Sequence, residues 1–263
     1  MSGTVRFDDG AAYERAMGVW SRLAGEVFLE WLAPLPGLRW LDVGCGNGAF
    51  TELLVQRCAP QAIFGVDPSE AQLEFARARP ALANATLRKG DAMALPFEDN
   101  AFDAATMALV IFFVPDPKRG VAEMKRVVRP GGMIAAYIWD ITNPGGFPLE
   151  AAAAALREAG AKIPLPPGAD ISRQDALHDL WTQAGLQSIE MRAISVTRSF
   201  ADFDDFWSAT TGMGNMKGAL AEMPAEEAAD VKARVRNRLP AADAQGRISY
   251  GSRANAIRGV VPG

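Results

Sequence analysis

Short runs of apolar residues alternate along the chain with stretches whose apolar residues recur every three to four positions. The apolar runs predict strands at 38–43, 62–66, 86–89, 102–109, 133–139, 186–196 and 247–261. The stretches between them predict helices at 51–58, 69–79, 117–129, 149–159, 172–184 and, with a flexible break at GMGNMKG, 201–239. Such alternation is typical of βαβ units around a parallel sheet, so we predict an α/β fold.

Capping signals mark the start of two of these helices. Ser69 and Gln72 form an S-x-x-Q capping box directly after Pro68. Ser172 and Asp175 form a second box, S-x-x-D, which predicts a helix capped by Ser172. Both signals predict where a helix begins.

The size of the chain favours one hydrophobic core. Its 263 residues, 49% hydrophobic and 22% charged, fit one large α/β domain with insertions. We divide the chain into an N-terminal helical lid (1–36), a ligand-binding core (37–142) and a third part (143–263). The third part holds insertions on the substrate side together with the last helix and strands of the sheet.

The charge pattern argues against a nucleic-acid partner. The formal net charge is −4, whereas a general nucleic-acid binder needs a basic face to displace phosphate counterions. The C-terminal part is locally basic from Lys232 to Arg238 and at Arg247, Arg253 and Arg258. We interpret these residues as a solvated helix face with scattered surface charge, and contact with an acidic partner is the alternative.

The number and spacing of the cysteine and histidine residues argue against a disulfide framework and a metal site. Cys45 and Cys58 have no CxxC spacing, so neither a disulfide framework nor a metal site is expected. His178 stands alone in a helical pattern, where a structural or exposed role is expected. The N-terminus lacks signal-peptide features and no run of about 18 apolar residues occurs, so we expect no membrane span and a cytoplasmic location.

The stretch LDVGCGNGAF places a glycine-rich turn after the first predicted strand. In open α/β sheets, ligands bind at the carboxyl ends of the strands, and glycines there let the ligand approach the backbone. Asp67 ends the second strand, where a carboxylate can accept two hydrogen bonds from a ribose diol. The turn also fits G-x-G-x-x-A at Gly44, Gly46 and Ala49, so a dinucleotide remains an alternative at this point.

Two further acidic residues narrow the range of possible ligands. Asp42 puts a negative charge beside the turn, which disfavours a pyrophosphate and suits an ammonium group. Asp91, in the turn GDAMALPFEDNAFD, can accept a hydrogen bond from an adenine amino group. No Walker-type Gly-Lys-Ser/Thr is present, which removes the P-loop alternative. The expected ligand contains adenosine, a ribose diol and an amino-acid tail, without phosphate.

Four blocks, LDVGCGNG, VDPSEAQLEFAR, GDAMALPFEDNAFD and EMKRVVRPGGMI, follow one another over residues 38–140. In this order and spacing they resemble the class I S-adenosylmethionine (SAM)-dependent methyltransferases, specifically the UbiE-like, methyltransferase type 11 group. The resemblance implies a Rossmann-like, seven-stranded, mostly parallel sheet whose last strand is antiparallel. It also implies helical insertions after the fifth and sixth strands, and SAM as cofactor with S-adenosylhomocysteine as product.

Carried over position by position, the resemblance assigns cofactor contacts. Gly44, Cys45 and Gly46 are expected along the methionine portion, and Asp42 near its ammonium group. The remaining assignments are Asp67 and Pro68 at the ribose, Asp91 and Ala92 at the adenine, and Met107 near the sulfonium. Many relatives carry a histidine after the fourth strand, where this chain has Ile111-Phe112-Phe113, so one possible base is missing. Asp103 lies at the opposite end of its strand and is interpreted as a turn or capping residue.

Aromatic and apolar residues outside the core suggest a lid and a substrate wall. Tyr13, Met17 and Trp20 form a helical stripe, and Tyr13 and Trp20 are candidates for cation–π contact with the sulfonium; packing on the sheet is the alternative. The candidate wall for the methyl acceptor consists of Phe147, Phe206, Trp207, Met213 and Met216, again with ordinary packing as the alternative. Asp140, at the carboxyl end of the fifth strand, is the candidate general base.

The resulting hypothesis is in-line transfer of the sulfonium methyl to an O, N or C nucleophile of a small, partly apolar acceptor. The protein is expected to act as a monomer or homodimer. A SAM-binding regulatory protein without catalysis and, less well supported, a nicotinamide-dependent oxidoreductase remain as rivals.

Overall fold

The computed structural model describes residues 14–212 and 214–263. Tyr13 and Met213 lie outside the described residues. Within the described residues, seven strands form one sheet: β1 (Arg39–Val43), β2 (Ala62–Asp67), β3 (Thr86–Lys89), β4 (Phe102–Ala108), β5 (Val128–Trp139), β6 (Gln187–Phe200) and β7 (Ile248–Val260). Their order is β3-β2-β1-β4-β5-β7-β6, and β7 runs antiparallel to both neighbours while the other pairs are parallel. The predicted sheet with an antiparallel last strand is confirmed.

Helices cover both faces of this sheet. They are α1 (Val19–Leu32), α2 (Ala49–Cys58), α3 (Glu70–Arg77), α4 (Pro117–Val127), α5 (Glu150–Glu158), α6 (Gln174–Gln183), α7 (Phe203–Thr211), α8 (Gly214–Glu222) and α9 (Ala225–Arg238). On one face, Phe28 of α1 and Phe50 of α2 pack on Tyr137 of β5, with ring centroids 4.7 and 5.7 Å from the tyrosine. On the opposite face, α4 packs over Met107 and α6 places Trp181 over Gly259. The core is therefore the two layers between sheet and helices.

Most predicted elements are found within a few residues of their expected bounds. The Ser69 side chain accepts a hydrogen bond from the Gln72 N–H, as a capping box requires, at 3.4 Å. Strand β5 begins at Val128 rather than at 133, because the chain turns directly from α4 into the sheet and pairs with Phe102. The predicted helix 201–239 is divided into α7, α8 and α9.

The predicted cap at Ser172 is wrong. Ser172 ends a short 3-10 helix, Ala169–Ser172, and α6 begins only at Gln174. The Ser172 hydroxyl is buried and finds no hydrogen-bond partner among the described residues. The Asp175 carboxylate instead pairs with Arg173. The two residues of the expected capping box therefore do not form the predicted cap.

Both cysteines are free and buried, and no cluster of potential metal ligands occurs in the described part of the chain. Within the same residues, every helix is too short or too polar to cross a membrane. Most basic residues of the C-terminal part have acidic partners, namely Lys232 with Asp204, Arg238 with Glu158, Arg247 with Asp243, Arg253 with Asp140 and Arg258 with Glu190. This pairing favours the surface-charge interpretation.

Candidate functional site

The glycine turn between β1 and α2 lies at the carboxyl edge of the sheet. Gly44, Gly46 and Gly48 all have positive φ, at +76°, +51° and +80°, where a side chain is strained. At Gly44 an added Cβ would lie 2.5 Å from Val110, and at Gly48 it would lie 2.6 Å from Leu82. These two glycines therefore let neighbouring elements pack against the turn.

Gly46 differs from the other two glycines. A Cβ built there would meet no described atom within 4 Å, so its face is open. Its N–H donates to Oδ2 of Asp67 at 2.9 Å, and the Ser69 N–H donates to Oδ1 at 2.8 Å. The open backbone at Gly46 and the Asp67 carboxylate thus form one cradle, in which each carboxylate oxygen keeps acceptor capacity for a ligand.

The Asp67 carboxylate is held in place but is largely desolvated. Only 9% of the residue is exposed. Burial raises the pKa of the Asp67 carboxyl above its ordinary value, and the hydrogen bonds from Ser69 and Gly46 partly oppose this rise. Hydrogen bonds from a bound diol would favour the ionised form further.

Asp42 lies beneath the turn and is fully buried. The Thr51 hydroxyl of α2 donates to its Oδ2 at 2.6 Å, whereas Oδ1 has no hydrogen-bond partner among the residues described. Burial raises the pKa of Asp42 to about 7, against the hydrogen bond from Thr51 and with a contribution from the Asp67 charge. A buried carboxylate with an unused oxygen suits a cationic ligand group.

The end of β3 joins the same edge. The Gly90 N–H donates to the Asp67 carbonyl oxygen at 3.1 Å, which places Asp91 directly beside the cradle. Asp91 is exposed, and its Oδ1 accepts from the Met93 N–H at 2.8 Å. Pro68 is exposed and Ala92 half-buried. The structure therefore brings the predicted ribose and adenine residues together.

Cys45 contributes packing to the turn. Its N–H donates to the Val66 carbonyl at 3.0 Å, and its sulfur lies 2.8 Å from where a Cβ on Gly65 would stand. Burial raises the pKa of the Cys45 thiol, helped by the charges of Asp42 and Asp67, so the thiol stays neutral.

Met107 is the second-last residue of β4, but its side chain does not face Asp42. Its side chain is fully buried on the face of the sheet opposite Asp42, and its terminal methyl is 3.3 Å from where a Cβ on Gly120 would stand. The packing under α4 does not favour the predicted contact with a sulfonium.

The residues that follow β4 were not predicted as site residues. Leu109 has a positive φ of +62°, and its N–H donates to the Tyr137 carbonyl at 2.9 Å. This turn brings Val110 against Gly44. In the sequence, the only sign that Leu109 and Val110 belong to the site was their position directly after a strand that ends at the carboxyl edge.

The predicted lid and wall aromatics lie mainly in the core. Trp20 is fully buried, with ring centroids 6.4 Å from Phe200 and 6.3 Å from Tyr250, and Phe206 packs on the same two rings at 5.0 and 5.3 Å. Trp207 stacks on Phe203, Phe147 is half-buried, and Met216 is buried. This arrangement favours ordinary packing for Trp20 and Phe206.

Asp140 is engaged in an ion pair. Its Oδ2 accepts from Arg253 Nε at 2.9 Å and also from Nη2, while Oδ1 accepts from Asn143 Nδ2 at 2.7 Å. The side chain is only 1% exposed. A buried carboxylate that an arginine holds in an ion pair is poorly placed to take a proton, so this geometry argues against the predicted base.

Asp103 lies at the amino edge of the sheet, as expected. It accepts from the Arg39 N–H at 2.8 Å and from Arg129 Nε at 2.6 Å. Burial raises the pKa of Asp103, but these hydrogen bonds and the positive charges outweigh burial and hold it below the ordinary value. Asp103 therefore joins the starts of β1, β4 and β5.

Comparison with known proteins adds an independent result. Residues 41–136 match the family model described as "Methyltransferase domain". Over 100 residues the chain is 43% identical to demethylmenaquinone methyltransferase of Staphylococcus aureus, a match that covers 37% of this chain and 42% of that protein. The chain thus aligns with less than half the length of this curated relative.

Solved structures share the fold over most of the chain. The YcgJ protein of Bacillus subtilis superposes with a TM-score of 0.60 at 17% identity, over 91% of this chain and 98% of that chain. Phosphoethanolamine N-methyltransferase 2 of Haemonchus contortus, solved with phosphomonomethylethanolamine and S-adenosylhomocysteine, superposes with a TM-score of 0.60 at 18% identity, over 98% of this chain and 58% of that chain. At these identities the two neighbours establish the fold alone.

Proposed function

Because residues 41–136 belong to the methyltransferase domain family, we propose that the protein is a SAM-dependent methyltransferase. The acceptor is a small, partly apolar molecule that presents an O, N or C nucleophile. The proposal includes a cytoplasmic monomer or homodimer, without a nucleic-acid partner.

The cradle between Gly46 and Asp67 carries this proposal. A ligand can approach the Gly46 backbone because no described atom stands where its Cβ would be. The Asp67 carboxylate beside it is fixed by two backbone N–H groups and keeps acceptor capacity on both oxygens. A ribose diol needs two acceptors at one place, which this carboxylate supplies.

The Asp42 carboxylate distinguishes an amino-acid tail from a pyrophosphate. It is buried, has one oxygen without a described partner, and lies beside a second acid, Asp67. Two carboxylates beneath a turn repel phosphate but attract an ammonium group. This charge arrangement favours SAM over a nicotinamide dinucleotide.

SAM, when bound, supplies a methyl group that is already activated on a sulfonium. The protein's own residues then have to hold the cofactor, orient the acceptor and exclude water. Asp67 holds the ribose of the nucleoside end, the Gly46 backbone lies along the methionine portion, and Asp42 orients the ammonium end. Since Asp140 is buried and held in an ion pair by Arg253, we assign no side chain as general base.

The proposal that the acceptor is partly apolar is supported by the name of one relative. The Staphylococcus aureus enzyme is a demethylmenaquinone methyltransferase by name. We extend only the chemical class of its acceptor to this chain, because the similarity is confined to 100 residues.

Replacing Asp67 with alanine is expected to weaken binding of S-adenosylhomocysteine by about 2 kcal/mol, or roughly thirtyfold, because charge-assisted hydrogen bonds to the ribose are lost. Titration calorimetry measures the change. Asp103→Ala is the matched control, since Asp103 also accepts a backbone N–H but at the opposite edge of the sheet. The control should bind within about twofold of wild type; unchanged affinity in Asp67→Ala would refute the ribose role.

Two measurements separate the rival functions. Fluorescence titration with NADH tests the oxidoreductase, and saturable NADH binding together with no binding of SAM at millimolar concentration would overturn our proposal. Incubation with SAM and a metabolite pool tests the regulatory rival. Formation of S-adenosylhomocysteine supports an enzyme, whereas tight SAM binding without turnover in any pool favours a regulator.

A further inference from the structure

Thr106 is a buried polar residue for which the proposed function has no use. It lies in the middle of β4 and is completely buried. Its hydroxyl oxygen finds no hydrogen-bond partner among the described residues. A buried hydroxyl without a partner costs free energy, so such a group calls for an explanation.

Thr106 is the register partner of Asp42. The two residues face each other on the adjacent parallel strands β4 and β1. Their side chains therefore project from the same face of the sheet, on strands about 4.8 Å apart. On this face Asp42 also has an oxygen without a described hydrogen-bond partner. This oxygen is Oδ1, whereas Oδ2 accepts from Thr51. Two complementary groups, one donor and one acceptor, are thus buried side by side.

We propose that Thr106 is a positioning residue for Asp42, donating its hydroxyl through one bridging water to Oδ1. Thr51 and Thr106 then hold the carboxylate from α2 and β4, respectively. A polar pair separated by more than direct hydrogen-bond distance is commonly joined by one water. The consequence for cofactor binding rests on the proposed function, whereas the contact with Asp42 does not.

The electrostatic surroundings give this contact a measurable effect. The ionisable groups that act with Asp42 are Asp67 on β2 and the Cys45 thiol at the end of β1, while α2 presents Thr51 and β4 presents Thr106. Asp67 opposes ionisation of Asp42, and the hydroxyl donors favour it. Removing a donor therefore raises the pKa of Asp42 and leaves less carboxylate near neutral pH.

The first test follows Asp42 directly in the protein without cofactor. The carboxyl carbon is observed by NMR across a pH titration and assigned with Asp42→Asn. In Thr106→Val, which keeps the shape and removes the hydroxyl, we expect the midpoint to rise by about one pH unit. Thr106→Ser should restore the wild-type midpoint. An unchanged midpoint in Thr106→Val would overturn the proposal, whether or not the protein binds SAM.

The second test links the contact to the cofactor. If the ionised carboxylate holds the ammonium group, Thr106→Val should weaken S-adenosylhomocysteine binding about eightfold at about pH 6.5 and less than about 1.5-fold at about pH 8.5. Thr210→Val is the matched control, since Thr210 is a buried threonine of α7 that bonds to its own helix. In an Asp42→Asn background, Thr106→Val should have no pH-dependent effect.

The outcomes are distinguishable. Equal weakening at all pH values would indicate loosened packing and would overturn the positioning role. A raised NMR midpoint in a protein that binds no S-adenosylhomocysteine would support the contact and refute the proposed function. Urea unfolding of each variant establishes that it is folded under the conditions of the measurement.

Discussion

Replacing Gly46 with alanine is expected to weaken binding of S-adenosylhomocysteine by about 100-fold while lowering the free energy of unfolding by only about 1–2 kcal/mol. The small stability cost is the strain of a side chain at φ +51°, because the new Cβ would meet no described atom within 4 Å. The large binding cost arises because the methyl group occupies the space through which a ligand reaches the backbone. Calorimetric titration and urea unfolding measure the two effects.

Two glycines of the same chain serve as controls. Gly37 has φ +79° and equally open surroundings in the described structure, but it precedes β1 at the amino edge. Gly37→Ala should reproduce the stability loss without changing affinity. Gly48→Ala should lose more stability, since its Cβ would stand 2.6 Å from Leu82 and 2.9 Å from Ala76. Wild-type affinity in Gly46→Ala would show that the ligand lies elsewhere.

Replacing Arg253 with methionine is expected to lower the free energy of unfolding by about 3 kcal/mol, because a buried carboxylate loses its charged partner. Asp140 is 1% exposed, and Arg253 donates to it through two nitrogens. The backbones are joined as well, since the Asp140 N–H donates to the Arg253 carbonyl at 2.9 Å. Urea unfolding monitored by circular dichroism provides the measurement.

A double-mutant cycle separates this structural role from catalysis. Adding Asp140→Asn to Arg253→Met should recover part of the lost stability, because the second change removes the unpaired charge. Arg247→Met is the control: Arg247 pairs with Asp243 at the surface, where an ion pair contributes about 1 kcal/mol or less. Full stability in Arg253→Met, or no recovery in the double variant, would contradict the ion pair at the buried Asp140 carboxylate and return Asp140 to consideration as a base.

Features encoded in neighbouring residues were predictable from the sequence. The apolar runs and helical stripes determine seven strands and the βαβ order, because burial of one face imposes a local period on each element. Glycines at 44, 46 and 48 mark backbone that needs a positive φ, and Asp67 marks the end of a strand. Since parallel strands end at a common edge, these local signals also locate the candidate site.

Features that depend on distant residues were not predictable in this way. Ser172 satisfies a capping pattern, yet α6 begins beyond it. The chain order gives no sign that Met107 packs against Gly120, or that Phe206 joins Phe200 and Tyr250 in the core. In each case the same side chain fits both a site and a core, and packing decides between them.

The sequence by itself determined the strands, the glycine turn and the acids within β1, at the end of β2 and after β3, because each depends on local periodicity or on one backbone conformation. Only the tertiary structure decided which buried polar groups have a hydrogen-bond or ion-pair partner. Asp140 is paired by Arg253, 113 residues away, whereas Asp42 and Thr106 keep buried atoms without described partners. Pairing of buried charges is a property of three-dimensional proximity, so it emerges only when β7 folds back beside β5.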